Sequence, residues 1–387
     1  MSQNDLGILG GGQLAGMLVE AAHNLGITTT VCALETVPAA ALAHVLSHRP
    51  DSHEGIIALA QRCAAITCES ENIPANVLAV AENYTRLHPT AATIANAQDR
   101  YTEKNYLRSL GIPTADFQVA DQASDVVVAA NKLGFPCLLK TRRGGYDGKG
   151  QVRLCQADEI ATAWSAIAGQ AAIVEAMVPF TQECAQIAVR DADGHMEFYP
   201  LTFTWHREGI LRAAIPFPTE RELSAQARDL TARLLTALNY VGILTVEFFV
   251  VAGQLVANEI APRVHNSGHW TIEGARTSQF ENHVRAITGR PLGEVDMVRP
   301  SGLVNCIGSL PLPNTIAAIP GTIFHDYGKV AKPARKLGHI TVLADDQAEL
   351  WIRMQQVLAA IGEAPITIEH YGNDRSTSGQ QHRDGVI

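Results

Sequence analysis

In the first hundred positions, segments with the apolar pattern of a β-strand alternate with segments that have the apolar spacing of an α-helix. Compact apolar runs predict buried β-strands over residues 6–9, 28–33 and 64–68. Apolar positions with helical spacing predict α-helices over residues 14–21, 56–62 and 73–83. Because strands that alternate with helices form parallel sheets covered on both faces, this pattern predicts an α/β domain over residues 1–98.

After residue 98 the pattern becomes that of a mixed α+β unit. Helices are predicted over residues 99–110, 124–133 and 157–168. Strands are predicted over residues 137–140, 151–155 and 172–175. A glycine-rich stretch separates the first two of these strands. We therefore expect a small lobe over residues 99–183 that carries a long loop.

Longer strands dominate the next segment. They are predicted over residues 184–190, 197–204, 241–251 and 255–260, with an amphipathic helix over 223–238. The last two strands flank Ala252-Gly253-Gln254, which predicts a β-hairpin with a three-residue loop. This segment is predicted to be a larger lobe over residues 184–300.

The C-terminal segment, residues 301–387, has shorter predicted strands and a helix over 347–361. Residues 329–340 form a basic stretch within it, which includes Lys329 and Arg335. A planar guanidinium such as that of Arg335 can hold a phosphate through two parallel hydrogen bonds. We therefore predict a small β-rich appendage that folds back over the strand ends and binds an anionic group.

Composition narrows the class of ligand. The chain has 387 residues, of which 47% are hydrophobic and 18% charged, and its net charge is -9. An acidic chain without long runs of Lys or Arg argues against nucleic acid or an anionic membrane as partner, which favours small molecules. The seven cysteines form no Cys-x-x-Cys pair, so we predict neither a disulfide framework nor a zinc site. With no signal-peptide pattern or long apolar span, a cytoplasmic protein is expected.

A glycine turn follows the first predicted strand. Gly10, Gly12 and Ala15 fit the pattern G-x-G-x-x-A, and Glu35 follows the second strand, as in NAD-binding folds. Any tight strand-to-helix turn also needs glycine, and a helix N-terminus accepts many anions. We rank the second interpretation, a turn that faces another phosphorylated or polar ligand, above the NAD interpretation.

A second glycine-rich stretch, residues 140–151, contains Lys140, Arg142, Arg143 and Lys149. Backbone N–H groups and cationic side chains of such a loop can surround a polyphosphate. The stretch is not a Walker A loop, because it leads into a strand instead of a helix. A solvated hairpin tip is the alternative, and the concentration of cations in an acidic chain makes it the weaker one.

Two carboxylates stand on the arms of the predicted hairpin. Glu247 and Glu259 lie among large apolar residues, where a charge is costly unless a cation compensates it. Carboxylate oxygens suit Mg²⁺ that bridges nucleotide phosphates. A three-residue loop places Glu247 opposite Glu259, on one face of the hairpin. The alternative is a pair of edge-strand glutamates facing water.

Polar residues are densest directly after this hairpin, at 258–270. Strand ends are where sites are commonly built, and no packing role selects this mixture of Arg, His, Asn and Ser. Arg263 could stabilise charge on a phosphoryl or carboxylate group. Taken singly, His265 and His269 could each be an ordinary loop histidine.

These motifs together resemble the ATP-grasp superfamily and, within it, the family of N5-carboxyaminoimidazole ribonucleotide synthetases. The shared segments are residues 10–14, 71–74, 98–100, 144–151, 258–270 and 329–340. The resemblance implies an ATP-grasp fold of two lobes with an N-terminal domain like that of biotin carboxylase. It also implies a ligase that uses ATP, Mg²⁺ and bicarbonate to carboxylate aminoimidazole ribonucleotide through carboxyphosphate, acting as a cytoplasmic homodimer.

The resemblance assigns roles to residues of this sequence. Catalytic roles are implied for Lys140, Asp147 and Arg263, and Mg²⁺ ligation for Glu247 and Glu259. Contacts with the nucleotide are implied for Arg100, Lys140, Gly145, Tyr146, Asp147, Gly148, Lys149, Gly150, Gln151, Glu175, Glu183, His206, Asn258 and Glu259. Contacts with the ribonucleotide are implied for Tyr146, Asp147, His265, Asn266, Ser267, Lys329 and Arg335.

The sequence departs from the family at two places. Ala15-Gly16 stands where the family has Gly-Arg, and Glu259-Ile260-Ala261 stands where ATP-grasp proteins more broadly have Glu-x-Asn. The second departure matches the carboxylase branch. Formate-dependent glycinamide ribonucleotide transformylase is the alternative within the superfamily. An NAD enzyme and a catalytically silent nucleotide sensor are the alternatives outside it.

Overall fold

The structure is a computed structural model that describes residues 5–34, 39–145, 148–217 and 221–367. Within these ranges the strands form three sheets, and no helix is long and apolar enough to cross a membrane. The predicted combination of a parallel α/β domain with α+β lobes and a β-rich C-terminal segment is confirmed.

The N-terminal elements are β1 (Leu6–Leu9), α1 (Gln13–Asn24), β2 (Thr29–Cys32), β3 (His44–Leu46), α2 (His53–Ala60), β4 (Ala65–Cys68), α3 (Ala75–Leu78), β5 (Arg86–Leu87) and α4 (Ala91–Ala97). They build a parallel sheet of order β3-β2-β1-β4-β5. Every residue of β1, β2 and β4 is buried, as the continuous apolar runs predict. The short elements β3, β5 and α4 were not predicted. The predicted helix over 73–83 was wrong in extent, because α3 ends at Leu78 and a separate 3₁₀ turn follows.

The small lobe contains α5 (Arg100–Ser109), β6 (Phe117–Ala120), α6 (Ala123–Leu133), β7 (Cys137–Thr141), β8 (Gln151–Leu154), α7 (Ile160–Ala166) and β9 (Ala172–Ala176). Its antiparallel sheet has the order β6-β9-β7-β8. The glycine-rich loop connects β7 to β8, as predicted. Strand β6 was not predicted.

The large lobe contains β10 (Gln182–Arg190), β11 (Met196–Phe198), β12 (Thr202–Arg207), β13 (Ile210–Pro216), α8 (Arg221–Ala237), β14 (Gly242–Val251), β15 (Gln254–Ala261), α9 (Thr271–Gly274) and α10 (Gln279–Ile287). The predicted strand over 197–204 is two strands, because β11 and β12 are separate partners of β10. Strand β13 was not predicted.

The C-terminal elements are β16 (Ser301–Ile307), α11 (Pro313–Ala317), β17 (Thr322–Asp326), β18 (Lys336–Leu343) and α12 (Gln347–Ala360). Their strands extend the antiparallel sheet of the large lobe, which has the order β15-β14-β10-β12-β13-β16-β18-β17. The basic stretch leads into β18. This continuous sheet therefore fixes the basic stretch relative to the hairpin β14–β15.

The N-terminal sheet packs on the large lobe through α10. The Nε2 atom of His283 lies 2.9 Å from Thr67 Oγ1, and its Nδ1 atom accepts a hydrogen bond of 3.0 Å from the N–H of Ile243. Burial lowers the pKa of His283 to about 3, so the ring is neutral and each nitrogen has one role. This contact ties β4 of the N-terminal sheet to β14, the strand that carries Glu247.

Candidate active site

A cavity of about 680 Å³ lies where the N-terminal sheet, the hairpin, the glycine loop and the basic stretch meet. The predicted site residues that line it are Arg100, Gly145, Lys149, His206, Glu247, Glu259, Arg263, His265, Asn266, Lys329 and Arg335. Tyr146 and Asp147 lie outside the described residues. The structure thus brings together residues from distant segments of the chain.

The hairpin pairs Glu247 with Glu259, although not for the predicted reason. The predicted three-residue loop was wrong: Val251 pairs with Gln254, and the turn consists of Ala252 and Gly253, both with positive φ. An even loop by itself would place Glu247 opposite Asn258. A β-bulge at Asn258 adds one residue to β15, which brings Glu259 onto the face of Glu247.

The electrostatics of this pair favour a bound cation. Burial and the facing Glu259 raise the pKa of Glu247 to about 7, against the opposing effect of His206. Side chains directly opposite in an antiparallel pair have Cβ atoms roughly 5 Å apart. The pair therefore offers hard oxygen atoms at a spacing that one divalent cation can bridge.

A buried ion-pair network lies beneath the small lobe's sheet. Glu175 accepts a hydrogen bond of 2.9 Å from Lys140 Nζ and lies 3.2 Å from Lys104 Nζ. Burial would raise the pKa of Glu175, but the two ammonium groups lower it to about 2. Lys140 and Glu175 are both buried and, unlike Glu247 and Glu259, do not line the cavity. Their direct contact with a nucleotide stays a prediction.

The glycine loop is held by backbone contacts and by Arg100. Arg100 donates hydrogen bonds to the carbonyl oxygens of Thr141 and Gly145, at 3.0 and 3.4 Å. Arg142 and Arg143 instead pair with Asp99, at 2.9 and 3.4 Å. Asp99 therefore orients these two arginines, and their contact with a polyphosphate stays a prediction.

Two glycines bring the loop against the turn between β12 and β13. A Cβ atom added at Gly209 would lie 2.5 Å from the Cα atom of Gly148, and one added at Gly148 would lie 2.7 Å from the carbonyl oxygen of Glu208. Both glycines have positive φ. The loop can therefore reach this position only because both residues lack side chains.

Gly209→Ala is expected to raise the KM for ATP about tenfold, because overpacking of this contact costs roughly 1–3 kcal/mol. Gly253→Ala is the matched control. It also has positive φ, but nothing lies within 4 Å of its added Cβ atom. Steady-state kinetics with varied ATP separate the two variants. Equal effects from both would show that backbone strain, and not loop docking, is responsible.

His206 and Glu183 form a pair at one side of the cavity, with 3.0 Å between Nδ1 and Oε2. Burial would lower the pKa of His206, but Glu183 raises it to about 9. The protonated ring therefore supplies positive charge to the cavity. Glu183 itself, like Gly148, Gly150, Gln151 and Asn258, is not among the lining residues.

The side chain of Glu69 occupies the glycine turn after β1. The carboxylate of Glu69 accepts hydrogen bonds from the N–H groups of Gly12 (2.6 Å) and Ala15 (3.1 Å). A Cβ atom added at Gly10 or Gly12 would lie 2.5 or 2.8 Å from this carboxylate. The NAD hypothesis is therefore wrong: the donors that would bind a pyrophosphate already bind Glu69. Glu35 lies outside the described residues.

Arg263 is oriented by a partner from the N-terminal domain. Its Nε and Nη2 atoms donate to the two oxygens of Glu71, at 2.5 and 3.1 Å. Burial would lower the pKa of Arg263, but Glu71 raises it above its usual value, so the group stays charged. This forked pair aims Arg263 into the cavity from the end of β15.

His265 is a neutral imidazole beside Glu247. Its Nδ1 atom accepts from the N–H of Ser267 at 3.3 Å, so the proton lies on Nε2, which is 3.3 Å from Glu247. Burial lowers its pKa well below the ordinary value, and Arg263 lowers it further. Ser267 is fully buried, and its hydroxyl lies 2.9 Å from His265 Nδ1. Ser267 therefore orients His265, and its contact with substrate stays a prediction.

The basic stretch reaches the cavity through several side chains. Lys329 donates a hydrogen bond to Gln13 in α1, and Arg335 donates one of 3.1 Å to the carbonyl of Val330. Lys332 and Lys336 also line the cavity. On the opposite wall, Asn266 and Asn305 exchange amide hydrogen bonds of 3.1 and 2.7 Å, which fixes Asn266 to β16.

Several residues at or beneath this cavity have no role predicted from the sequence: Gln13, Glu69, Glu71, Glu103, Lys104 and Lys336. Two signals were present. Glu69 and Glu71 follow a buried parallel strand, and such ends commonly carry ligands. Glu103 and Lys104 belong to the buried face of α5, where charged residues need partners.

Three family models match the chain in order. Residues 3–98 match a ribonucleotide synthetase preATP-grasp domain, and residues 105–280 match an ATP-grasp domain. Residues 301–353 match a phosphoribosylaminoimidazole carboxylase C-terminal domain. A relative from Pseudomonas aeruginosa, N5-carboxyaminoimidazole ribonucleotide synthase, is 42% identical, and the match covers 92% of this chain and 99% of that protein.

The chain belongs to the family of N5-carboxyaminoimidazole ribonucleotide synthases. A crystal structure of the synthetase from Thermus thermophilus superposes with a TM-score of 0.88 at 38% identity, covering 94% of this chain and all of that one. The Aspergillus clavatus enzyme, solved with ADP and 5-aminoimidazole ribonucleotide, gives a TM-score of 0.86 at 29% identity, covering 93% and 99%. The chain is thus an ATP-grasp ligase of purine biosynthesis, and the transformylase alternative is not favoured.

Proposed function

We propose that the protein carboxylates 5-aminoimidazole ribonucleotide with ATP and bicarbonate, which yields N5-carboxyaminoimidazole ribonucleotide. The observation that carries this proposal is the shared cavity. It exposes the carboxylate pair, Arg263 and His265, and the basic stretch to one space, which is what a reaction among a nucleotide, bicarbonate and a phosphorylated amine requires.

The chemistry needs positioning and charge neutralisation more than covalent help. A bicarbonate oxygen attacks the γ-phosphorus of ATP, so that ADP leaves and carboxyphosphate forms. The amine of the ribonucleotide then attacks the carboxyl carbon, directly or after its release as CO₂. A nitrogen–carbon bond forms, phosphate leaves and the amine loses a proton. Closure of the cavity protects carboxyphosphate from water.

We assign Mg²⁺ to Glu247 and Glu259. These facing carboxylates fit a hard divalent cation, since burial and their mutual repulsion together raise the pKa of Glu247 to about 7. When bound, Mg²⁺ would neutralise charge on the nucleotide phosphates. His265 Nε2 lies 3.3 Å from Glu247, which supports the orientation of that carboxylate.

Arg263 and His265 are proposed to face the bicarbonate-derived group. Arg263 keeps its charge because Glu71 holds it, and a guanidinium suits a planar anion. Tyr146 and Asp147, with Asn266, are proposed to contact the ribonucleotide. Lys140, Glu175, Glu183 and the glycine loop are proposed to surround ATP. The domain limits at residues 98, 183 and 300 are likewise proposed.

ADP release tests this function. We expect ADP to form in a mixture of ATP, Mg²⁺, bicarbonate and 5-aminoimidazole ribonucleotide, and to fall when either bicarbonate or the ribonucleotide is omitted. Stimulation by formate with glycinamide ribonucleotide in place of these two substrates would contradict the proposal and support the transformylase.

Lys329→Ala and Arg335→Ala are each expected to raise the KM for aminoimidazole ribonucleotide at least about tenfold. The basis is a charge-assisted phosphate contact worth roughly 1.5–3 kcal/mol. The KM for ATP should change little. Initial rates with each substrate varied in turn provide the measurement, and an effect on ATP alone would assign these cations to the nucleotide.

We also propose a cytoplasmic location, which the seven unpaired cysteine thiols support because disulfides are rare in reducing compartments. A homodimer stays a prediction. Analytical ultracentrifugation tests it, and a monomer at micromolar concentration would contradict it.

A further inference from the structure

The outer edge of strand β15 is covered by α5 and the residues that follow it. The N–H of Ala257 donates a hydrogen bond of 2.7 Å to the carbonyl of Pro113. Lys104 Nζ donates one of 3.0 Å to the carbonyl of Asn258, and the N–H of Ile260 donates one of 2.6 Å to Glu103 Oε1. Successive backbone groups on both sides of the bulge are therefore bonded to one helix and its C-terminal loop.

The bulge decides which way Glu259 points. With a two-residue turn, the side-chain period of two would direct Glu259 away from Glu247, and the extra residue at Asn258 reverses this. Strand β15 lies at the edge of its sheet, so the backbone groups on its outer side have no partner strand. Here Lys104 satisfies the carbonyl directly before Glu259, and Glu103 satisfies the N–H directly after it.

Burial restricts the side chains of Lys104 and Glu103 to their hydrogen bonds with β15. Lys104 and Glu103 are 1% and 2% exposed, so neither can turn to solvent when its partner is lost. Lys104 also contacts Glu175 in the small lobe at 3.2 Å. One ammonium group therefore joins strand β15, which carries Glu259, to the network that includes Lys140.

We infer that Glu103 and Lys104 are positioning residues that hold the bulge of β15 and thereby place Glu259 beside Glu247 for metal binding. This inference rests on the metal role proposed above for the two glutamates. The task of Glu103 is to accept the Ile260 hydrogen bond, so an uncharged acceptor can replace it. The task of Lys104 needs its ammonium group, since a methionine of similar length has no donor.

The test measures metal binding apart from turnover. Mn²⁺ is titrated into the full chain with ADP present, and unbound Mn²⁺ is measured by electron paramagnetic resonance. Glu103→Leu and Lys104→Met are expected to weaken Mn²⁺ binding about tenfold or more, as losses of supporting groups do. Glu103→Gln should stay within about twofold because it keeps the acceptor. Asn105→Leu is the control, because Asn105 is an exposed residue of the same helix whose amide bonds to Tyr101 within that helix.

Hydrogen exchange of the peptide that covers residues 256–261 is measured on the same variants. We expect faster exchange in Glu103→Leu and Lys104→Met, and wild-type exchange in Glu103→Gln. Wild-type Mn²⁺ binding by Glu103→Leu, despite faster exchange, would overturn the inference. So would equal weakening by Glu103→Gln, which would indicate a role of charge. Should Lys104→Met fail to fold, the Glu103 pair still decides.

Glu247→Gln separates this inference from the proposed metal role. If that variant binds Mn²⁺ as wild type does, the metal assignment fails, and the inference fails with it. If Glu247→Gln loses binding while Glu103→Leu keeps it, only the positioning role fails.

Discussion

Glu247→Gln and Glu259→Gln are each expected to lower kcat roughly 10²–10³-fold, as the loss of one charge-stabilising group in an enclosed site does. Glutamine keeps the volume of the side chain and one acceptor oxygen, but it cannot hold a divalent cation as strongly. ADP release at saturating ATP, bicarbonate and aminoimidazole ribonucleotide provides the measurement. Excess Mg²⁺ should restore activity only in part.

Stability should not fall in the Glu247 variant. Burial and the facing carboxylate raise the pKa of Glu247, so its charge opposes folding in the absence of metal. We therefore expect an unchanged or higher Tm without Mg²⁺. Glu197→Gln, an exposed carboxylate on β11 of the same sheet, is the matched control and should keep full turnover. Near-normal ADP release by either cavity variant would remove the metal role.

Glu175→Gln is expected to lower the free energy of unfolding by about 3–5 kcal/mol, because it leaves two buried ammonium groups without a counter-charge. Glu175 is 2% exposed and lies between Lys140 and Lys104. Urea denaturation measures the effect. Turnover should fall as well, since Lys104 also bonds the bulge beside Glu259.

Asp229→Asn is the control for this comparison. It breaks an ion pair with Arg233 on an exposed face of α8, and such pairs contribute less than about 1 kcal/mol. The pH dependence gives a second test. Because the pKa of Glu175 is lowered to about 2, its stabilisation is complete above its ordinary value of 4.5 and is lost as pH falls towards 2. Wild type and Glu175→Gln should therefore converge in stability across that range.

Local patterns were sufficient for most elements of the fold. The strands β1, β2 and β4 appear as continuous apolar runs because both of their faces are buried. Helix α8 appears as an amphipathic pattern because only one of its faces is buried. Strands β3, β5 and β6 left no such signal. They are short or partly exposed, and their place is set by pairing with a neighbour.

The pairing of Glu247 with Glu259 in the hairpin was predicted correctly, but from an incorrect loop length. The residues indicated that Glu247 and Glu259 act together, because two carboxylates among apolar neighbours need a common cation. The loop length assumed for that pairing was wrong by one residue, and the bulge at Asn258 compensated for it. A bulge depends on Lys104 and Glu103, more than 150 positions away, so no local pattern can reveal it.

The sequence by itself determined which segments contain charge or backbone freedom that packing does not explain: the glycine loop, the two glutamates, the segment around Arg263 and the basic stretch. Only the tertiary structure decided their partners. Arg142 and Arg143 form ion pairs with Asp99. Glu69 accepts hydrogen bonds in the glycine turn, and Glu71 binds Arg263, which is 192 positions away in the sequence. The physical reason is that Coulomb and hydrogen-bond energies depend on distance in space, which the order of residues along the chain does not contain.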